Sequence, residues 1–387
     1  MRERADAVVI GAGIVGAACA YYLIAAGFDV HLVERDTPAS GTSRACDGLI
    51  LLWDKPTGAE LALGLSSTQL WTELSQSLDL DFGYTRCGTI LVAEDAEGLR
   101  AGQATAERLR KESVRAEVLD AQALHALEPN VASDLAGGVL FPDDANIDPR
   151  RATLALLEAA QKQGLSLHLG CEVQAIRCQA GGGCVSAVIT RQGEIATEVL
   201  VCAAGVWSSQ VAGYGGITLP LRPRKGHVLV TARAPGLIRH ALLEGSYTAT
   251  VQSGSTDLGV ALVAEATSEG NLLLGSSRQF VGFDRSVELD ALRSIAARAV
   301  RFLPALGAIP VIRSYAGLRP WSPDHLPLVG PFPEVPGFYL ATGHEGAGIG
   351  LAPVTGKLVA SWISGAELPD VARAVRPDRF GTNGAAG

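Results

Sequence analysis

Arg319 stands in the run AGLRPWSPDHLPLVG, residues 316 to 330, between Gly317-Leu318 and Pro320-Trp321. Its planar fork of donors needs either water or an anion. Among stiff and apolar neighbours it is either a structural arginine capping the adjacent strand or an anchor for an anionic ligand. A second group with chemical meaning is Gly11-x-Gly13-x-x-Gly16, which follows the apolar run Ala7-Val8-Val9-Ile10. Such a turn, with Ile14 and Val15 inside it, lets backbone N–H groups approach a pyrophosphate at a helix N-terminus. Glu34, with Arg35 beside it, closes the next strand, Val30-His31-Leu32-Val33, where a carboxylate can accept from a ribose hydroxyl pair. An acid there disfavours a 2′-phosphate, which makes NADP the poorest dinucleotide and leaves FAD and NAD. The loop Gly41-Thr42-Ser43-Arg44-Ala45-Cys46-Asp47-Gly48 is either a polar turn or a continuation of the cradle along an extended cofactor.

These residues need elements to hold them. The N-terminal unit reads as strand, glycine turn and an alanine-rich helix to Ala26, stopped by Gly27, then the strand ending at Glu34. Asp148-Pro149 opens a helix that runs to Gly164. Strands are expected on either side of Gly181-Gly182-Gly183, and Val199 to Cys202 reads as a buried strand ending in a tight turn at Ala203-Ala204-Gly205. From about 222 to 315 short β runs dominate, such as His227 to Val230 and Leu272 to Leu274, with a helical segment near 287 to 303. Phe338 to Ala341 then returns to strand, glycine loop and an apolar helix to about Ser364. The tail after Pro369 is expected to fray. This alternation implies two interleaved domains. Segments 1–80, 146–220 and 325–368 would form a Rossmann-like α/β nucleotide domain, with 81–145 and 221–324 as a β-rich α+β substrate domain and 369–387 as a tail.

Composition narrows the function. With 387 residues, 48% hydrophobic and 19% charged, the chain is a core-rich globular protein. A formal charge of −8 gives no basic footprint for nucleic acid. No apolar run reaches the ~20 residues of a membrane span, no secretory leader is evident, and a cytoplasmic location is expected. The seven cysteines are scattered without a CxxC pair, so no metal or iron-sulfur site is expected.

Three stretches occur together in one order: VVIGAGIVGAACAYYL…VHLVER with GTSRACDG, then CAAGVWS, then GLRPWSPDHLPLVG with GFYLATGHEGAGIGLAPVTG. In combination they resemble the D-amino acid oxidase family of FAD enzymes, which includes glycine oxidase, sarcosine oxidase and related amine dehydrogenases. The resemblance implies FAD along the first domain with its flavin at the boundary with the substrate domain. It gives Gly11, Gly13 and Gly16 to the pyrophosphate and Glu34 to the adenosine ribose. Thr42, Ser43 and Arg44 would follow the cofactor, and Gly48 would lie near the ring. Val173 would meet adenine, and Ala204 and Gly205 would let the backbone pass closely. Gly343, His344, Gly346, Gly348 and Ile349 would bring a helix N-terminus to the electron-rich flavin edge. Arg319 would then pair with the substrate's α-carboxylate, with Tyr247 as a second contact.

The implied activity is oxidation of the C–N bond of an amino or imino acid, such as a D-amino acid or D-hydroxyproline, by hydride transfer to flavin N5. No strong base is evident, and a substrate bound with its amine neutral would need none. The chain has no cysteine after Cys202, so the covalent flavin link of the sarcosine oxidase branch is absent. Where glycine oxidase carries an arginine after the histidine of its last glycine loop, this chain has Glu345. Its final loop is closer to dehydrogenase subunits acting on D-hydroxyproline, opines or glycine in cyanide synthesis, which makes a hetero-oligomer with electron-transfer subunits one expectation. A non-catalytic flavin partner and an NAD-only dehydrogenase are the rival readings. Lys225 is read as solvated, and Trp207 and Trp321 as packing residues.

Overall fold

A computed structural model describes residues 2–179, 183–252, 254–255 and 257–381. Gly181 and Gly182 of the expected turn lie outside the described residues. Two sheets dominate. The first has six strands in the order Leu328–Pro331, Phe338–Thr342, Val199–Cys202, Ala7–Ile10, Val30–Val33 and Ser166–His168. All its neighbours run parallel except Leu328–Pro331, which pairs antiparallel with Phe338–Thr342. Ala7–Ile10 and Val30–Val33 are buried at every position, as expected of parallel strands covered on both faces. Helix Ile14–Ala25 follows the glycine turn and packs beside the last long helix, Gly348–Ser364. Ala18 and Gly356 touch so closely that a Cβ on Gly356 would lie 2.5 Å from the Ala18 carbonyl oxygen. Helix Pro149–Lys162 carries the expected N-cap, with the Asp148 carboxylate accepting from the backbone N–H groups of Arg150 and Arg151.

The second sheet has eight strands, ordered Val311–Trp321, Arg222–Thr231, Leu272–Arg278, Gly259–Ala266, Ala241–Glu244, Thr89–Ala93, Gly137–Phe141 and Glu117–Asp120. Strands drawn from 89–141 and from 222–321 thus share one sheet, and helix Leu289–Phe302 packs against it. A four-stranded sheet, including Val173–Cys178 and Val185–Thr190, flanks the first sheet.

One expectation about the tail is corrected. Residues 370–380 form two 3-10 segments, and Ala372 and Val375 are fully buried in the core of the first sheet. Apolar residues at that spacing hold the segment down although its composition is polar. Among the described residues no helix is long and apolar enough to cross a membrane.

Candidate active site

One continuous cavity runs from the glycine turn, between the two sheets, to Arg319 and Tyr247. At its first end the wall is backbone. Gly11 has φ +106°, and a Cβ there would sit 2.6 Å from the Ala203 carbonyl oxygen. That contact and the left-handed φ both require glycine. Gly16 lies just outside the wall, where a Cβ would fall 1.9 Å from the Gly11 carbonyl oxygen, so its role is close packing of helix on turn. Gly13, Ile14 and Val15 line the cavity. Glu34 braces this turn: Oε2 accepts from the Ala12 N–H at 2.8 Å and Oε1 from the Asp36 N–H at 2.9 Å. Arg35 lies over the Trp207 ring at 4.0 Å, and both residues line the cavity beside Cys171, Glu172 and Val173.

The loop after Glu34 divides its residues differently from expectation. Thr42 and Ser43 line the cavity, the former donating to the Leu318 carbonyl at 2.6 Å and the latter accepting from the Ile14 N–H at 3.0 Å. Arg44 is exposed and outside the wall, since it ends the 3-10 turn Thr42–Arg44 on the side opposite buried Ser43. Gly48 is also behind the wall. Its N–H donates to Glu265 Oε2 at 2.9 Å, and a Cβ would fall 1.8 Å from the Ile147 carbonyl oxygen. The inward residues there are Ala45, Cys46, Asp47 and Leu49.

Ala204 and Gly205 line the middle of the cavity, and the Gly205 carbonyl accepts from the Thr342 hydroxyl at 3.0 Å. Gly343 is outside the wall, packed near Leu328 and Leu221. His344, Glu345, Gly346, Gly348 and Ile349 line it, which places the N-terminus of helix Gly348–Ser364 at the wall. His344 Nε2 shares a hydrogen bond with Thr355 Oγ1 at 2.9 Å. Burial pulls its pKa down to about 4, so the ring is neutral at neutral pH and pins the loop to the helix.

The other end is built from charged side chains. Arg319 lies opposite Arg224 on paired antiparallel strands, and its diagonal neighbour is Gly226. A Cβ on Gly226 would lie 2.1 Å from Arg319 Nη1 and 2.7 Å from Cζ, so the guanidinium occupies the space that glycine leaves. Nη1 donates to the Ser277 carbonyl at 3.0 Å, so Arg319 does cap a strand. It also lines the cavity, and among the described residues it forms no ion pair. Burial lowers its pKa, with neighbouring Arg278 acting in the same direction. Tyr247 begins the helix Tyr247–Gln252, with its ring 5.8 Å from Trp53 and 4.8 Å from the Arg278 guanidinium. Burial raises its hydroxyl pKa, so it stays a neutral donor.

Several residues to which the sequence assigns no site role complete this end. Glu345 Oε1 pairs with Arg224 Nη1 at 2.8 Å and lies 3.7 Å from Arg278 Nε, with His325 3.5 Å from Oε2. Burial alone would raise the Glu345 pKa, but His325 and the guanidiniums of Arg278, Arg224 and Arg319 outweigh it and hold the carboxyl at about 2. Arg224 also donates to the Val251 and Thr250 carbonyls, which ties down the helix carrying Tyr247. Asp54 and Lys55 line the cavity as a 2.6 Å ion pair. The register that sets Arg224 across from Arg319 was the missing signal, and no local motif carries it.

Lys225 requires a correction. It is fully buried and outside the cavity wall, bonded to Asp284 at 2.8 Å, to the Ser286 carbonyl and to Glu288. Alternation along the strand turns it away from the face that carries Arg224 and Gly226. Trp321 packs edge-on against Phe280 at 5.2 Å, as expected, whereas Trp207 belongs to the cavity wall.

The backbone end suits a dinucleotide: a glycine turn and the helix start that follows it line the cavity, and a braced carboxylate stands at the next strand end. Comparison with known proteins agrees. The model of the FAD-dependent oxidoreductase family DAO matches residues 6–362. A glycine oxidase of Pseudomonas aeruginosa is 30% identical over 377 residues, covering 95% of this chain and 96% of that protein. Hydrogen cyanide synthase subunit HcnC of the same species is 28% identical, with 95% and 94% covered. Glycine oxidase from Geobacillus kaustophilus superposes with a TM-score of 0.87 at 26% identity over the whole of both chains. L-proline dehydrogenase from P. horikoshii shares the fold, with a TM-score of 0.88, 24% identity and 98% of each chain covered. The chain therefore belongs to the D-amino acid oxidase family of FAD-dependent oxidoreductases, enzymes that act on amines and amino acids.

Proposed function

We propose that this enzyme oxidises the C–N bond of an α-amino or α-imino carboxylate whose carboxylate is held by Arg319. The observation that carries the reading is the guanidinium itself, seated in the space left by Gly226, facing the cavity and, among the described residues, lacking a carboxylate partner. Segments 1–80, 146–220 and 325–368 would hold FAD, and 81–145 with 221–324 would hold the substrate. Within the first group, Gly11, Gly13 and Ile14 suit the pyrophosphate, Glu34 a ribose and Val173 the adenine. Gly346 to Ile349 would face the flavin. When bound, FAD supplies a two-electron acceptor for the oxidised C–N unit. Arg319 would fix the carboxylate by a two-point contact, and the Tyr247 hydroxyl would donate a second bond, so that the α-carbon meets the cofactor in one orientation.

The test is anaerobic bleaching of the flavin by D-amino acids, D-hydroxyproline, L-proline, sarcosine, glycine and opines. Arg319→Ala should retain FAD and weaken use of carboxylate substrates by about 2–5 kcal/mol. Unchanged kinetics in that variant would refute the carboxylate anchor. A second reading, in which the chain is the catalytic subunit of a larger dehydrogenase, is favoured by its likeness to a cyanide synthase subunit over nearly its full length. Bleached flavin that stays reduced in air and recolours with a quinone or dye supports it; rapid recolouring in air supports an oxidase.

A further inference from the structure

The charges at the substrate end fall into two groups. Asp54 with Lys55, and Glu345 with Arg224, neutralise each other inside the protein. Arg319 and Asp47 do not: both line the cavity, and among the described residues neither has an ion-pair partner. The Asp47 carboxylate accepts one long bond, 3.4 Å, from the Leu49 N–H. Its loop is locked to the strand that carries Arg319. The Thr42 hydroxyl donates to the Leu318 carbonyl at 2.6 Å, and Ala45 packs so tightly on Gly317 that a Cβ there would sit 2.7 Å from Ala45 Cβ. On the other side of Asp47, the Gly48 N–H is held by Glu265 at 2.9 Å. One cation and one anion, both open, are thus fixed in one wall. A half-buried charge without a partner favours a ligand that brings the opposite charge.

Resting on the reading that the substrate is an amino or imino acid, we infer that Asp47 is the anionic half of a zwitterion clamp: Arg319 holds the carboxylate, and Asp47 holds the ammonium. The charged and titratable groups near enough to Asp47 to interact with it are Arg319, Arg278, Tyr247, Cys46, Tyr315 and Glu265, with Asp148 acting on Glu265 in turn. Burial, then the charge of Asp47, raises the Glu265 pKa above the ordinary carboxyl range.

The experiment uses the FAD-loaded protein and two unreactive probes, read by flavin absorbance. Acetate carries only the anion, and glycine betaine adds a fixed positive charge. Asp47→Asn should leave acetate binding unchanged or tighter and weaken betaine about tenfold, while Asp47→Glu restores betaine. Equal changes for both probes, or a wild type that binds acetate but no betaine, would overturn the clamp. If no amino acid bleaches the wild type, the proposed function fails, and the acetate–betaine comparison still judges Asp47 independently.

Discussion

The two ends of the cavity are built by opposite means. At the glycine turn, function is left to the backbone: small residues, a helix start, and one carboxylate braced on the Ala12 and Asp36 amides. At the Arg319 end it is left to buried charges on antiparallel strands, where like charges of Arg224 and Arg319 stand directly opposite and Glu345 relieves them. A backbone cradle suits a cofactor of constant shape. A wall of oriented charges suits a smaller ligand that must be held in one orientation for chemistry. The difference also sets vulnerability, because a buried charge loses more than a glycine turn when one partner is removed.

The comparison can be broken most forcefully at Glu345. Glu345→Gln removes the counter-charge of Arg224 and Arg278 and should cost about 3–5 kcal/mol of folding stability, measured by denaturant unfolding. Its pH dependence has a defined sign. The folded pKa of about 2 lies below the ordinary 4.5, so the stabilisation is full above 4.5 and is lost as pH falls towards 2. The variant should therefore lack that acid-side loss. A Glu345→Gln protein as stable as wild type would show that the charges are not a coupled set.

Gly226→Ala comes next. The three atoms nearest its Cβ all belong to the Arg319 guanidinium, at the far end of a flexible side chain, so the fold should survive with the guanidinium displaced. We expect kcat/KM for carboxylate substrates to fall about 100-fold, roughly 2.7 kcal/mol, with FAD content unchanged. A matching loss of FAD would mean that the two ends are not separable. The smallest effect is expected from Tyr247→Phe, which keeps the ring against Trp53 and removes one donor. It should raise KM by up to about tenfold, close to 1.4 kcal/mol for a neutral hydrogen bond. An unchanged KM would assign Tyr247 to packing.

The same contrast explains what can be read from the chain. The glycine turn, Glu34 and the helix from Gly348 are contiguous patterns, and each element forms where its residues predict it. Arg319 stands out because its neighbours are apolar. Arg44 and Gly48 point inward by their place in a motif, but the short turn sends Arg44 outward and close packing sets Gly48 behind the wall. Lys225 reads as solvated because sequence shows charge but not the carboxylates that meet it, Asp284 and Glu288, some sixty residues on. Glu345 draws notice in the sequence only as the absence of a positive charge. Its task becomes visible once strand register brings Arg224 and Arg278 to it.

We propose Arg319 as an open carboxylate anchor in a flavin enzyme. The most direct measurement is an acetate titration of the FAD-loaded wild type and of Arg319→Ala, followed by flavin absorbance without turnover. An open anchor predicts saturable binding in the wild type and affinity about 100-fold weaker in the variant, with FAD content and unliganded spectrum unchanged. Equal acetate affinity in the two proteins would contradict it.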